Sequence, residues 1–281
     1  MQKTIRILIV LIVALVVLNV GLLLFRKNGT NLELPPPSST DAPGVWRPAP
    51  GTSWQWQLTA LPIDTAVNAD VFDIDLFDND HTMINALHAK GRKVICYVNV
   101  GTVEDWRQDA SEFPEAVIGD SYDEWEGERW LDIRQITLIG PIMGRRFDRA
   151  KEMGCDAIEP DNIDGYTNDT GFRLRAADQL RYDVWLVGAA HNRGMSIGLK
   201  NDPEHAAILE PYFDWAITED CAAEGWCDDM SVFTQKGKAV LQAEYTDTDV
   251  DFLAACERAT INGFSAIQKQ RDLDAWRRSC P

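Results

Sequence analysis

The sequence predicts an α/β domain over residues 51–281, built as a (β/α)8 TIM barrel. Short apolar runs alternate there with amphipathic stretches that end at a glycine, such as Thr82–Lys90 before Gly91 and Ile142–Met153 before Gly154. A helix, a glycine and a short apolar run form the usual connection from a helix to a strand. Such units repeat over about 230 residues without a linker-like break, close to the length that eight of them need.

Nine runs are strand-like, one more than an eight-stranded barrel needs. They are Trp54–Leu58, Val71–Phe77, Val94–Asn99, Trp130–Ile133, Ala157–Asp161, Ser196–Lys200, Trp215–Glu219, Ala239–Tyr245 and Phe264–Gln268. We expect the first run to lie outside the barrel, because no helix-like segment separates it from the second. A doubly wound sheet is the alternative fold, but the glycine-rich phosphate loop that typically follows its first strand does not occur in the sequence.

Residues 1–27 predict a membrane anchor. From Ile7 to Phe25 every residue is apolar or glycine except Asn19, and basic residues flank both ends. A helix of about twenty such residues spans the hydrocarbon core of a bilayer. Small residues typical of a signal-peptidase site do not follow, so we expect an uncleaved single-pass anchor with a cytoplasmic tip, and a secreted domain as the alternative. Residues 28–50 are rich in proline and serine and predict an extended stalk.

The composition excludes several classes of protein. The chain has 281 residues, 44 of them acidic and 27 basic, for a net charge of −17. Nucleic-acid binding is not expected, because polyanions are held by clustered lysine and arginine. Ten tryptophans and ten phenylalanines indicate a packed interior rather than a disordered chain. A strongly acidic surface instead concentrates cationic polymers around the protein.

Acidic residues follow one predicted strand after another. Barrel enzymes place their chemistry at the carboxyl ends of the strands, so these acids predict a functional cleft. One such acid is commonly a helix cap, but capping does not explain five or six strands in succession. The acids are Asp73, Asp75, Asp132, Glu159, Asp161, Asp164, Glu219, Asp220 and Glu244, and they are accompanied by Tyr97, Asn99, Asn162, Lys200, Asn201 and Tyr245. Aromatic residues suited to sugar faces follow the strands as well: Trp106, Trp125, Tyr166, Trp226 and Tyr245.

Two chemistries fit a cluster of carboxylates. A hard metal ion would take several of these oxygens as ligands, whereas glycoside hydrolysis needs two carboxylates across the scissile bond. Zinc is not expected, because none of the four histidines ends a predicted strand or has ligand spacing. We expect no metal and no other cofactor.

The six cysteines predict disulfides and an oxidising compartment. Cys221 and Cys227 flank a short loop directly after Glu219, and a bridge between them would hold that carboxylate rigidly. Cys256 and Cys280 are expected to pair and to pin the C-terminus. The last two, at positions 96 and 155, are either paired or buried thiols.

Several motifs resemble glycoside hydrolase family 114, the endo-α-1,4-polygalactosaminidases, which have a TIM-barrel fold. The motifs are Trp54–Leu58, Phe72–Phe77, Val94–Tyr97, Glu104–Arg107, Trp130–Arg134, Cys155–Tyr166 and Asp272–Ala275. The resemblance extends from about Trp54 to Cys280, and its most specific element is the Glu-Pro-Asp-Asn block at 159–162. It implies cleavage of α-1,4-linked galactosamine polymers, including partly deacetylated galactosaminogalactan. The catalytic Asp and Glu of the family correspond to Asp161 and Glu219.

The resemblance also implies roles for the other residues. Free galactosamine units are cations, and Asp75, Asp132 and Glu244 are expected to hold their amino groups. Glu159 is either a further binding group or a buried partner of Lys200. The remaining predicted substrate-binding residues are Tyr97, Asn162, Lys200 and Tyr245.

We therefore expect a membrane-anchored, outward-facing endo-hydrolase. Its expected partners are a cationic amino-sugar polysaccharide and, through the N-terminal helix, the membrane; no protein partner and no nucleic acid is expected. A cell-surface module that binds such polymers without cutting them is the alternative, and a metal-dependent hydrolase is a third possibility.

Overall fold

The parallel strands curl into a barrel-like sheet. The structure is a computed structural model that describes residues 34–37, 44–123 and 125–281. In chain order the strands are β1 (Trp54–Gln57), β2 (Val71–Asp75), β3 (Lys93–Asn99), β4 (Thr102–Glu104), β5 (Ile118–Ser121), β6 (Glu128–Leu131), β7 (Ala157–Asp161), β8 (Ser196–Lys200), β9 (Trp215–Glu219), β10 (Val240–Tyr245), β11 (Ser265–Lys269) and β12 (Arg278–Ser279). The barrel-like sheet has the order β1-β2-β3-β7-β8-β9-β10-β11-β12. Neighbouring strands up to β11 are parallel, and β12 is antiparallel to β11.

Helices separate many of these strands. They are α1 (His81–Ala89), α2 (Ile136–Met153), α3 (Ala176–His191), α4 (Ala206–Leu209), α5 (Cys221–Glu224), α6 (Ser231–Thr234) and α7 (Phe252–Asn262). Asp80 caps α1 by accepting hydrogen bonds from two backbone amides, and α2 ends at Gly154 in a left-handed conformation, as its sequence predicts. α2 begins earlier than the apolar pattern indicated and continues through Pro141, with Ile139 and Met143 buried on its inner face.

The prediction that Trp54–Leu58 lies outside the barrel is wrong. β1 pairs in parallel with β2, and Trp54 and Trp56 are buried in the barrel core. The peripheral run is instead Trp130–Ile133, because β6 pairs antiparallel with β4 and β5 in a separate three-stranded sheet. An apolar run identifies a strand but not its partner or its direction. We call residues 102–131, between β3 and α2, the antiparallel insert.

The C-terminal segment completes the wall between β11 and β1. The Leu58 amide donates a hydrogen bond to the Leu273 carbonyl at 2.9 Å. Lys269 has no exposed surface, and its ammonium donates to the carbonyls of Asp274 and Trp276. This buried cation satisfies carbonyls that have no partner strand, so it holds the segment against the barrel.

Three disulfides stabilise the domain. The two predicted bridges, Cys221–Cys227 and Cys256–Cys280, are present. Cys96 in β3 and Cys155 before β7 form a third, which joins two neighbouring parts of the barrel wall. The sequence could not decide whether these two cysteines are bridged, because buried thiols and a buried disulfide have the same apolar surroundings.

The residues before β1 contact the amino-terminal ends of the strands. Trp46 packs against the barrel core, and the Lys93 ammonium, at the start of β3, lies 5.9 Å from its ring centroid. Arg47 Nε donates to Asp214, directly before β9, at 2.7 Å. These contacts belong to residues that the sequence assigned to the stalk.

The predicted membrane anchor, Ile7–Phe25, lies outside the described residues and stays a prediction. In residues 34–37, 44–123 and 125–281, we find no helix that combines the length and the apolar character needed to cross a bilayer.

Candidate active site

A cleft of about 650 Å³ opens at the carboxyl ends of the parallel strands. Asp161 ends β7, Lys200 ends β8 and Glu219 ends β9, and all three side chains line the cleft. Because these strands are neighbours in the sheet, their last residues lie side by side. Both acids predicted to be catalytic are therefore in one site.

Lys200 lies at the centre of the site and pairs with three carboxylates. Its Nζ is 2.8 Å from Asp161 Oδ1, 3.0 Å from Glu219 Oε2 and 3.0 Å from Glu159 Oε1. Its side chain is only 4% exposed. Burial lowers the pKa of Lys200, but the charges of the three carboxylates outweigh burial and raise it well above its ordinary value. The residue is therefore a permanent cation.

Further donors hold the two candidate catalytic acids. Tyr97 Oη donates to Asp161 Oδ2 at 2.8 Å, and Tyr245 Oη donates to Glu219 Oε1 at 2.5 Å. Burial opposes ionisation of Asp161, yet Lys200 and Tyr97 lower its pKa below the ordinary value. Asp161 is thus kept as a carboxylate in a largely buried position.

The two acids face each other across the lysine. One oxygen of Asp161 and one of Glu219 lie within 3.0 Å of the same nitrogen. Because both oxygens contact the same nitrogen, they are at most about 6 Å apart. A glycosidic bond can lie between two carboxylates at this separation.

Glu159 lies beneath the cleft as a buried partner of Lys200, one of the two roles that the sequence left open. It has no exposed surface and accepts a hydrogen bond from Trp56 Nε1 at 3.1 Å. Burial raises its pKa to about 7. Asp73 faces it: burial, with the Glu159 charge adding, raises the pKa of Asp73 well above its ordinary value. As a protonated acid, Asp73 can donate to Glu159, whereas an ionised Asp73 would have no donor for either oxygen.

The residues directly after the site side chains have a left-handed backbone. Asn162 has a φ of 60°, Asn201 of 52°, Asp202 of 53° and Asp220 of 52°. Asparagine and aspartate tolerate this conformation better than other residues with a side chain. The chain therefore turns sharply at each strand end, and such strained turns are typical of functional sites. At the Asn162 turn the opposing backbone approaches so closely that a Cβ on Gly101 would lie 1.7 Å from the Asn162 carbonyl oxygen.

Three predicted binding acids already have protein partners. Asp75 lines the cleft but forms a buried ion pair with Arg107 at 2.5 Å. Glu244 accepts hydrogen bonds from two backbone amides at the start of α5, at 2.9 and 3.2 Å. Asp132 pairs with Arg134 at 2.6 Å. Neither Asp132 nor Glu244 is among the described residues that line the cleft.

The structure adds acids that the prediction of binding residues missed. Asp164, after β7, lines the cleft, and burial, together with the charges of Asp161 and Asp202, raises its pKa to about 6. Asp202 and Glu204, after β8, both accept hydrogen bonds from Tyr166 Oη, at 2.9 and 3.2 Å. Asp164 was one of the acids noted after the predicted strands but had no assigned role. Asp202 and Glu204 lie two and four residues beyond Lys200, the last binding residue predicted at that strand end.

Glu128 is a further acid of the site, contributed by the antiparallel insert. Its Oε2 accepts hydrogen bonds from Thr102 Oγ1 at 2.6 Å and from Asn99 Nδ2 at 2.9 Å. Burial raises its pKa to about 7, and the charges of Asp161 and Glu104 contribute to the increase. No motif marked this residue, because β6 was interpreted as a barrel strand.

The cleft as a whole is strongly acidic. Among the described residues, twelve acidic and three basic side chains line it. Aromatic side chains are interspersed with them: Trp56, Tyr97, Trp106, Tyr122, Trp125, Tyr166, Trp226 and Tyr245. This combination suits a ligand that carries both positive charge and apolar faces.

The described residues offer one compact set of sulfur and carboxylate atoms, Cys221, Cys227 and Glu244, which lie within 4.8 Å of one another. The two sulfurs form a disulfide, and Glu244 accepts backbone hydrogen bonds. Thiolate ligands for a metal are therefore not available in this set.

A barrel-like fold with two carboxylates facing each other at the strand ends is typical of glycoside hydrolases. Residues 36–281 match the family described as glycoside-hydrolase family GH114. The chain belongs to this family, and the resemblance of its motifs is thereby confirmed.

Solved structures support this assignment. Ega3 of Aspergillus fumigatus, determined in complex with galactosamine, is 41% identical and has a TM-score of 0.78, with 84% of this chain and 97% of that chain covered. The glycoside hydrolase domain of PelA from Pseudomonas aeruginosa is 12% identical and has a TM-score of 0.65, with 81% and 98% covered, which shows a shared fold. Among curated proteins no significant match was found.

The raised pKa of Glu128 predicts a pH-dependent stability. Its folded pKa is about 7 against an ordinary value of 4.5, so the folded state loses stability from this group as pH rises from about 4.5 through 7. Glu128→Gln cannot ionise. Relative to the parent, the variant should therefore gain up to about 3 kcal/mol in the free energy of unfolding between pH 5 and pH 8. Urea unfolding at several pH values measures this gain.

The exposed Glu115, changed to Gln, is the matched control for this measurement. Parallel stability profiles for the parent and Glu128→Gln would show that Glu128 is not protonated in the folded protein at pH 5.

Proposed function

We propose that the chain is an endo-acting hydrolase of α-1,4-linked galactosamine polymers, with Asp161 and Glu219 as its catalytic pair. The main support for this proposal is that these two acids face each other across Lys200 in an acidic cleft. The 41% identity to Ega3, whose structure contains galactosamine, supports the substrate.

Asp161 is the nucleophile in this mechanism. Lys200 and Tyr97 keep it ionised, and its carboxylate attacks the anomeric carbon. Glu219, at the more exposed end of the pair, gives a proton to the glycosidic oxygen as that bond breaks. A water then attacks the glycosyl ester and passes its proton to Glu219, which restores both acids.

The spacing of the two carboxylates supports a double-displacement mechanism, which retains the anomeric configuration. Nucleophile and acid are about 5–5.5 Å apart in retaining glycosidases, against about 6.5–9.5 Å in inverting ones that leave room for a water. The upper limit of about 6 Å set by the shared contact with Lys200 favours the retaining class.

The placement of the aromatic residues supports an endo mode of action. Trp106 and Trp125 belong to the insert after β3, and Trp226 lies in the loop after β9. In the sheet order β3-β7-β8-β9, Asp161 on β7 lies between these groups, and Glu219 ends β9, the strand that leads into the Trp226 loop. A polymer can thus contact the protein on both sides of the bond that is cut.

We also propose that the domain faces an oxidising compartment outside the cell membrane, anchored through residues 1–27. Three disulfides in the described residues support this location. Labelling of intact cells with a membrane-impermeant amine reagent tests it: a domain labelled only after lysis would contradict the outward orientation.

Removal of either catalytic carboxylate should abolish hydrolysis. Asp161→Asn and Glu219→Gln nearly preserve side-chain volume but remove the nucleophilic charge or the transferable proton. We expect kcat to fall by at least about a thousandfold for each, with unchanged circular dichroism. Mass spectrometry of the products from defined galactosamine oligomers measures the rate.

Glu257→Gln, which removes an exposed carboxylate of α7 that does not line the cleft, is the control and should keep the parental activity. If either catalytic variant retains more than about a tenth of the parental turnover, that residue is not part of the pair.

The acidic cleft predicts a preference for deacetylated polymer. Acetylation removes a cation from each sugar and leaves carboxylates without partners, at a cost of about 1–3 kcal/mol per subsite. Fully N-acetylated polymer should therefore be cut at least about tenfold more slowly. Added salt should raise KM for deacetylated polymer more than it lowers kcat, since exposed charges are screened within about 8 Å at physiological ionic strength.

Rates on both polymers across a salt series test this preference. Equal rates without salt dependence would assign the acidic surface to solubility, and the cleft would then recognise the shape of the sugar.

A further inference from the structure

The antiparallel insert presents two large apolar side chains to solvent within the cleft. Trp106 is 51% exposed and Trp125 is 47% exposed, and both line the cleft. Exposed tryptophans that line a cleft are unfavourable in water unless a ligand covers them. The proposed chemistry at Asp161 and Glu219 does not use either side chain.

The Trp106 ring is held in place by the hairpin beneath it. Gly127 has a φ of +91°, and a Cβ there would lie 2.9 Å from Trp106 Cζ3 and 2.8 Å from an Asp105 oxygen. A residue with a side chain would therefore be strained and would also displace the indole. Glycine therefore lets the six-membered ring of Trp106 lie close to the backbone at this position, while about half of the residue stays exposed.

Glu128 follows Gly127 in the same hairpin, and its backbone amide donates to the Trp125 carbonyl at 3.2 Å. One of its carboxylate oxygens has no hydrogen-bond partner among the described residues. The residue is only 6% exposed. Its Oε2 is held by Thr102 and Asn99, whereas Oε1 has no hydrogen bond from any described residue. Because Glu128 lines the cleft, this oxygen is available to a ligand there.

The charges around Glu128 select a cation. Besides burial, the negative charges of Asp161 and Glu104 raise the pKa of Glu128. Thr102 and Asn99 supply neutral donors only. An ammonium group is the ligand that satisfies the free oxygen and also reduces the repulsion among the acids.

The position of Glu128 is adjacent to the catalytic pair. Asn99, which donates to Glu128, is opposite Asp161 in the register of β3 and β7. Tyr97, two residues earlier on the same face of β3, donates to Asp161. A sugar at Glu128 would therefore be close to the unit that Asp161 attacks, but bound by a different part of the chain.

We propose that the antiparallel insert forms a second sugar subsite, in which Trp106 and Trp125 pack against an uncleaved amino-sugar unit and Glu128 Oε1 accepts a hydrogen bond from its ammonium group. This inference rests on the proposed function, because it concerns the same polymer. The insert then determines how the polymer is held, and the strand ends perform the reaction.

Binding without hydrolysis tests the subsite. The full-length Glu219→Gln chain serves as the parent, and isothermal titration calorimetry gives Kd for galactosamine oligomers of increasing length. Trp106→Ala and Trp125→Ala should each weaken binding of the longest oligomer about tenfold, and together about a hundredfold. The phenylalanine variants should restore part of the affinity, since they keep an aromatic face.

Two further variants separate the roles of the rings and the carboxylate. Glu128→Gln should weaken galactosamine oligomers about tenfold and leave N-acetylated oligomers unchanged, because only the former carry the ammonium. Trp276→Ala is the matched control: Trp276 is 38% exposed, does not line the cleft, and should leave every Kd within about twofold of the parent.

Each outcome decides a different question. Parental affinity in the Trp106/Trp125 double variant overturns the subsite and leaves the proposed function intact. If Glu128→Gln weakens the binding of galactosamine oligomers and N-acetylated oligomers equally, the proposed contact between Glu128 and the ammonium group is overturned. A parent that binds no galactosamine oligomer at all overturns the proposed function and the subsite with it.

Discussion

One buried ammonium group makes the site possible. Glu159, Asp161 and Glu219 each lie within 3.0 Å of Lys200 Nζ, and three carboxylates so close together cannot all ionise without a cation among them. Lys200 has almost no contact with water, so its charge is little screened and acts on all three acids. Loss of this cation would favour protonation of Asp161, which the proposed reaction needs as a carboxylate.

The barrel explains why such a cluster forms. β8 lies between β7 and β9, and its last residue, Lys200, is level with Ile217 of β9, two residues before Glu219. The long lysine side chain therefore reaches up to Glu219 on one side and Asp161 on the other. The parallel registers bring residues distant in sequence to the same level of the sheet. Left-handed turns at Asn162, Asn201 and Asp220 then direct the chain away from the site, which keeps the three side chains accessible from the cleft.

The sequence was sufficient to predict the strand ends, the acids on them and two disulfides, because these follow from local patterns. It was not sufficient to predict which neighbour each acid would meet. Asp75 is paired with Arg107 in the antiparallel insert and Glu244 with amides of α5, contacts that depend on tertiary packing. The prediction placed β1 outside the barrel and β6 inside it, and the structure has the reverse. The cause is the same, because both runs are apolar and only the fold determines their partners.

The contacts of Trp46 and Arg47 have a mechanical consequence. These residues lie where the strands begin, at the pole opposite to Asp161 and Glu219. Neither residue lines the cleft, so the segment that leads into β1 leaves the mouth of the cleft uncovered. It buttresses the base of the barrel instead, and changes in it would alter the stability of the domain without touching the surface proposed to bind substrate.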